Sequence, residues 1–454
     1  MNLNKNQIYE VDIIDNGFKG EGIAKIDGFT VFISNAIKGE RVRIKILKVL
    51  SSHAFAKIEE ILKKSPDREM EDCSTYLQCG GCAMRHMTYK KSLEIKETAV
   101  KSTLKKQGID SEVKNIIGME NPYFYRNKLQ YPIGKDKNGI PVMGVFAERT
   151  HRIISTQKCY IQNTKIQEIA NDIFKFIKEN NIPVYDEEKL TGQIRHLVLR
   201  IGIKTNEVMV IIVSNTSVIA KEKELVEFIT KNYSDVKTVV KNINNKNTNV
   251  ILGDKNEVLF GKGYIYDELL EMKFKISPMS FYQVNPYQTE KLYSKAIEYA
   301  DLHGTETVLD LYCGIGTIGI CASRNVSKLY GVETIPEAIE DAKKNAEENN
   351  VKNVEFFVGD VEKFLPEFIR KNKINIDVVF VDPPRKGCDR VALETIIKIK
   401  PKKIVYVSCN PATLARDLKI LEKIYNIEAI TPVDMFPFTT HVECVVAMIL
   451  KENL

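Results

Sequence analysis

Apolar and polar residues alternate with a period of two along the first part of the chain. The stretch YEVDIIDNGFKGEGIAKIDGFTVFISNAIKGERVRIKILKVL is broken by turn glycines at Gly17, Gly20, Gly22, Gly28 and Gly39. That pattern predicts a small antiparallel β-barrel over residues 1–62. KKSPDR, Lys63 to Arg68, reads as a linker. A charged helix is predicted from Thr88 to Gly108, with apolar Leu93, Ile95, Ala99 and Leu104 and a glycine stop. The middle of the chain, residues 63–276, mixes both periods and predicts an α+β domain. QIRHLVLRIGIKTNEVMVIIVSN predicts a hairpin turning at Lys204 to Glu207, and TKIQEIANDIFKFIKENN a helix with its apolar face on Ile166, Ile169, Ala170, Ile173 and Ile177. From Ser277 the chain alternates strand and helix. Strands are predicted at 307–311, 328–332, 354–358, 376–381, 403–407, 428–434 and 442–450. This is the pattern of a doubly wound, mainly parallel α/β domain over residues 277–454. In such a sheet the chemistry lies just beyond the carboxyl ends of the strands.

Composition narrows the class. The 454 residues are 44% hydrophobic and 28% charged, as in globular proteins. No apolar run approaches the ~20 residues that span a bilayer, and Met1 to Asp15 has no apolar signal core. A cytoplasmic protein with no membrane association is expected. The formal charge is +6, and Arg85 to Lys137 holds twelve Lys or Arg against six Asp or Glu. A local basic stretch suits a polyanion such as RNA, and a solvated lysine-rich surface explains it equally. FYRNK, Phe124 to Lys128, sets aromatics beside cations in that stretch, so Arg126 and Lys128 are candidate RNA contacts, the alternative being a strand entering the central sheet. Nine cysteines without an export signal argue against a disulfide framework.

The first strand of the α/β part runs into YCGIGTIGI. Gly314-x-Gly316-x-x-Gly319 matches a dinucleotide fingerprint, and Glu333 ends the next strand, where a carboxylate can accept ribose hydroxyls. These residues alone admit both NAD and S-adenosylmethionine. Asp310 before the glycines, Asp360 after the third strand in adenine-contacting position, and Asp382-Pro383-Pro384 after the fourth favour S-adenosylmethionine and a methyltransferase. Arg385, following the two prolines, replaces the aromatic that an exocyclic-amine methyltransferase would need. Cys409 follows the apolar strand KIVYV at the carboxyl edge, near a helix N-terminus that is expected to favour a thiolate. Cys313, Cys321, Cys388 and Cys444 read as small buried side chains or bystanders.

DLYCGIGTIG, VDPPRKG, VSCNPATLARDL, HVECV and SPMSFYQVN together resemble the RNA uracil-5-methyltransferase family, over nearly the whole chain. The likeness is greater to its 23S rRNA (uracil-5-)-methyltransferase branch, which carries an iron–sulfur cluster. The resemblance implies that residues 1–62 form a TRAM-like RNA-binding barrel. It implies that Gln283, Tyr312, Glu333 and Asp382 contact S-adenosylmethionine, with Gly314 and Gly316 shaping the loop. It also implies that the helix near residues 88–115 packs on the catalytic domain. Carbon 5 of uracil is a poor nucleophile. A thiolate adding to carbon 6 activates it, and a base then removes the carbon 5 proton. The resemblance gives these roles to Cys409 and Glu443. Without it, Glu443 is a charge at a strand end, and His441 reads as a neighbour. Phe281 is a candidate to stack on the extruded base, and Asp382 or Gln283 to read its edge.

Cys73, Cys79 and Cys82, with Cys159 downstream, supply four soft ligands. Their spacing leaves zinc and iron–sulfur both open. The resemblance implies a [4Fe–4S] cluster. The expected activity is therefore rRNA processing: formation of 5-methyluridine at one uridine of 23S rRNA by a monomer needing no obligate protein partner. A tRNA uridine is the alternative substrate. A non-catalytic RNA-binding protein is the alternative of another class.

Overall fold

The computed structural model describes residues 3–70, 72–372 and 374–452. At the N-terminus, six strands between Ile8 and Lys63 curl around a core of Val11, Ala24, Val31, Ile33, Val42, Ile44 and Ile46. One pair departs from the antiparallel expectation. Phe29–Ser34 runs parallel to His53–Lys63, because Arg41–Val49 lies on the far side of that strand.

The hairpin forms as its pattern predicts. Ile194–Ile201 pairs antiparallel with Val208–Ser214, and the turn closes through Asn206 at φ 60°. Both strands lie inside a seven-stranded sheet, and their two faces are apolar for different reasons. Leu197, Leu199, Val210 and Ile212 pack under the helices Thr164–Glu179 and Glu222–Asn232, in one core with Ile169, Ile173 and Leu225. Val198, Met209, Ile211 and Val213 face the other way and share a core with Phe274 and with Leu292 and Val308 of the α/β unit. A strand covered on both sides has no polar face to alternate.

The C-terminal sheet has seven strands in the order Val354–Val358, Lys328–Glu333, Thr307–Leu311, Val378–Val381, Lys403–Ser408, Glu443–Leu450, Tyr425–Val433. The first five run parallel. Glu443–Leu450 inserts between its neighbours antiparallel to both. The beginning of that strand therefore lies at the carboxyl edge of the parallel set, with Cys444 opposite Ser408 and Glu443 opposite Val433.

The helix Tyr89–Lys106 starts at Thr88, whose hydroxyl accepts from Lys91 N at 3.2 Å. Its Val100 and Leu104 join Leu414, Leu418 and Leu421 of the helix Pro411–Leu421 in one core. Its Lys96 ammonium donates to Asp434 at 2.6 Å in a fully buried ion pair. The following chain continues the catalytic sheet: Lys114 N donates to Ile430 O at 2.8 Å and Ile117 N to Pro432 O at 2.9 Å.

Candidate active site

The carboxyl ends of the parallel strands open into a cavity of about 990 Å³. Gln283, Tyr312, Gly314, Glu333, Asp360, Asp382, Phe281, Cys409 and Glu443 all line it. Gly316 does not. Its backbone, at φ 81°, starts the helix Thr317–Ala322, and a Cβ there would stand 2.9 Å from the Phe356 ring. Here glycine serves the turn rather than the ligand.

One wall is built for a nucleoside. Tyr312 and Gly314 both take left-handed backbone, at φ 63° and 55°, and turn the chain sharply off its strand. The Glu333 carboxylate accepts from Gly314 N at 3.2 Å, and from Thr334 N and Ile335 N at 2.8 and 3.1 Å. It thus ties the glycine loop to the turn that leads into the helix Pro336–Glu348. Beneath lies Asp310, which the sequence marked only as part of the motif. One of its oxygens accepts from Gly319 N at 3.0 Å, and the other has no partner among the described residues. Burial, with Asp382 and Glu333 nearby, pushes its carboxyl up to about 8. An orphaned buried acceptor, a carboxylate at a strand end and a strained turn fit an S-adenosylmethionine molecule.

The opposite wall holds the reactive groups. Cys409 stands just past Lys403–Ser408, half-buried. Asn410 caps the next helix by accepting from Ala412 N at 3.0 Å, and its amide donates to Arg385 O at 3.3 Å. This ties the Asp-Pro-Pro-Arg loop to the cysteine. Glu443 is buried, and its carboxyl is pushed up to about 8 by burial and by Asp382, against the pull of Arg385. Burial alone takes Asp382 up to about 7.

The expectation that a helix N-terminus holds Cys409 as a thiolate is corrected here. Burial, then Glu443 and Asp382, push the thiol up to about 11, and Arg385 offsets this only in part. Two neighbouring carboxylates and lost solvation outweigh one helix end. Arg385, absent from the sequence-predicted site residues, is a cation that acts on both groups. Asp254 and Asn256 also line the cavity, reaching it from the central sheet. No local pattern announces them.

Arg126 and Lys128 lie outside the cavity lining. Arg126 bridges to Gln162, and Lys128 opens the strand Lys128–Lys135. Burial, with Arg200 and Arg126 beside it, lowers the Lys128 ammonium to about 7. The four outlying cysteines converge elsewhere. Cys73, Cys79 and Cys159 all raise Cys82, which burial takes up to about 12. Gly81 N donates to Cys79 Sγ at 3.3 Å. Among the described residues, no three His, Cys, Asp or Glu side chains already stand together as a metal-binding group.

A Rossmann-like sheet, a nucleoside-shaped loop and a thiol beside buried carboxylates define an S-adenosylmethionine-dependent methyltransferase. Residues 88–451 match the tRNA (uracil-5-)-methyltransferase family, and residues 3–58 match the TRAM domain. An uncharacterised RNA methyltransferase of Clostridium acetobutylicum is 49% identical over 98% of this chain and 97% of its own length. A second, from Clostridium tetani, is 46% identical with the same coverage. Among solved structures, the Pyrococcus abyssi tRNA (uracil-54, C5)-methyltransferase bound to S-adenosyl-L-homocysteine superposes with a TM-score of 0.80. It is 29% identical and covers 97% of this chain and 100% of its own. The chain belongs to the tRNA (uracil-5-)-methyltransferase family and is an RNA (uracil-5-)-methyltransferase with an N-terminal TRAM domain. Among the described residues, no helix is long and apolar enough to cross a membrane.

Proposed function

We propose that the protein methylates carbon 5 of one uridine in 23S rRNA, with Cys409 as nucleophile and Glu443 as base. The observation that carries this mechanism is the meeting of Cys409, Glu443 and Asp382 on one wall of a cavity whose other wall fits S-adenosylmethionine. Bound there, that cofactor supplies an electrophilic methyl group on a sulfonium. Glu333, Gln283, Tyr312, Asp360 and Asp382 hold and orient it, and Gly314 lets the backbone approach. Cys409 Sγ bonds to carbon 6 of the uracil, which makes carbon 5 nucleophilic toward the methyl group. Glu443 then takes the carbon 5 proton, the double bond re-forms and the carbon–sulfur bond breaks. The ring of Phe281, 70% exposed at the cavity, is free to stack on an extruded base. Arg126 and Lys128 remain the candidate contacts to the RNA backbone in this reading, supported by the crowding of like charges around Lys128 that a phosphate would relieve.

The chain works in this reading as three units, 1–62, 63–276 and 277–454, in a cytoplasmic monomer. Cys73, Cys79, Cys82 and Cys159 hold a [4Fe–4S] cluster. Its support is donor chemistry: four thiols whose charges act on one another, with amide hydrogens on Cys79 and Cys159, although no three of them among the described residues stand in ligating geometry. The cluster staples the central unit and supplies no step of the methylation. Anaerobically purified protein should be brown, with about four iron atoms per chain. Stoichiometric zinc without iron would overturn that assignment.

By the family resemblance, the bacterial tRNA enzymes lack the barrel and the four-cysteine set, which favours rRNA, and archaeal relatives weaken that argument. The likeness to the Pyrococcus abyssi enzyme over nearly the whole chain favours the second reading, a tRNA uridine. Mass mapping of 5-methyluridine in rRNA and tRNA, from cells with and without the protein, separates them. The mark should disappear from 23S rRNA alone; its loss from tRNA alone would install the second reading. Glu333→Ala should weaken S-adenosylmethionine binding by about 1.5–3 kcal/mol, as for lost hydrogen bonds to a charged group. Calorimetry checks this, and unchanged affinity would remove Glu333 from the site.

A further inference from the structure

The cavity wall that carries Phe436 and His441 and leads into Glu443 is the connection 434–442 between the last two strands. Inside the catalytic domain it is held by Asn285, whose amide donates to Met435 O at 2.9 Å. Its middle is held from outside. Ala83 N and Met84 N, the two amides directly after Cys82, both donate to Phe438 O at 2.9 Å. Tyr125 OH donates to Pro437 O at 3.2 Å, and Lys96 Nζ to Phe436 O at 3.0 Å. The Phe438 ring, 2% exposed, sits among Tyr125 and Ile161 with Cys82 and Cys159 packed against it. The Arg85 guanidinium lies 5.0 Å from its centroid and 4.4 Å from that of Tyr160.

Phe438 also carries backbone strain, at φ 64°. A bulky residue stays in the left-handed region only where its surroundings over-determine it. Here the surroundings are the cysteine-bearing segment, which is far away in sequence and makes no part of the cavity lining. The local bonds Thr439 Oγ1 to Phe436 O at 2.8 Å and His441 N to Thr439 Oγ1 at 3.1 Å carry that conformation on to His441.

We propose that Phe438 is a positioning residue: through it, the four-cysteine segment clamps the wall that keeps Glu443 dry. This rests on the assignment of Glu443 as base. The clamp acts on the step in which the carbon 5 proton leaves. With the wall loosened, water reaches Glu443, its carboxylate becomes a weaker base, and elimination of Cys409 slows. The S-adenosylmethionine wall, built from other strands, is left alone. State of the thiol site and competence of the catalytic wall are thereby linked.

Hydrogen exchange on the RNA-free full chain tests the clamp directly. Phe438→Leu should raise exchange at 434–442, and at the Ala83 and Met84 amides bonded to it, about tenfold or more, with residues 73–82 and the bound metal content unchanged. Cys82→Ser should loosen both segments together. Exchange at 434–442 that stays at the wild-type rate in either variant overturns the proposal. If Phe438→Leu does not fold, Phe438→Gly, which accepts the backbone conformation while deleting the ring, takes its place under the same criteria.

The functional arm uses unmodified transcripts of 23S rRNA and of tRNA with labelled S-adenosylmethionine. Phe438→Leu should lower kcat, leave S-adenosylmethionine affinity within about twofold, and accumulate a methylated covalent protein–RNA species. A fall in cofactor affinity without that species would show general damage and overturn the role. Glu443→Gln, run in parallel, keeps the two readings apart. If it gives no adduct, the base assignment has failed, while the exchange result still decides the clamp.

Discussion

Cys409→Ala should abolish methylation, with kcat falling by about 10⁴-fold or more, and should remove any covalent RNA species. Nothing else on the reactive wall can replace the thiol. Cys444 is fully buried in the sheet, paired with Ser408, and burial raises its thiol further. Cys388 is bound up with Tyr406, whose hydroxyl lies 3.6 Å from its sulfur, beneath the cavity. Cys313 touches the cavity from within the glycine loop and Cys321 lies on the helix Thr317–Ala322, but burial raises both thiols. Among the described cysteines that line the cavity, Cys313 is buried and Cys409 is half-open to it at the carboxyl edge. The loss should be confined to chemistry, because the S-adenosylmethionine wall is assembled around Glu333, Tyr312 and Gly314. Calorimetry should therefore give wild-type affinity for S-adenosyl-L-homocysteine alongside the dead enzyme. Turnover retained within about tenfold would transfer the nucleophile's role elsewhere.

The α/β half was legible because its signals are local. Each parallel strand is a short apolar run, each helix has its own period, and glycines mark the cofactor turn at the first strand's end. The hairpin at 194–214 was legible for the same reason. What escaped was set by distant partners. The antiparallel insertion of Glu443–Leu450 follows from sheet order, and it is that insertion which brings Glu443 beside Cys409. The direction of the Cys409 shift was misjudged because the helix end is visible nearby in sequence, while Asp382 and Glu443 act only after folding. Asp254 and Asn256 come to the cavity from a different sheet, and no period or spacing points to them. Arg126 and Lys128 offered two readings, RNA contacts or a strand entering the central sheet; Lys128 does begin such a strand, and both side chains are half-buried. Charge counts do not say which side of a strand faces water.

Glu443→Gln should stall the enzyme after methyl transfer, leaving a protein–RNA adduct that survives denaturing electrophoresis and carries the labelled methyl group. The amide keeps the shape of the side chain and cannot accept the carbon 5 proton, so addition and transfer proceed while elimination stops. The pH dependence follows from the carboxyl's position. Burial and Asp382 raise it to about 8, so at pH 7 most of the ligand-free enzyme holds it protonated. A base works ionised, so wild-type turnover should rise as pH climbs through that value and level off above it. Cys409 lies higher, at about 11, and its ionisation also favours alkaline conditions. A positive charge held in the cavity near Asp382 draws both values down, so the limb under saturating S-adenosylmethionine should lie below that of the free enzyme. In Glu443→Gln the limb belonging to the carboxylate should vanish, while adduct formation keeps the dependence set by the thiol. The Cys409→Ala, Glu443→Gln double change should show no labelled band at any pH. Normal turnover by Glu443→Gln, or a stall with no covalent species, would pass the proton to His441 or to an ordered water.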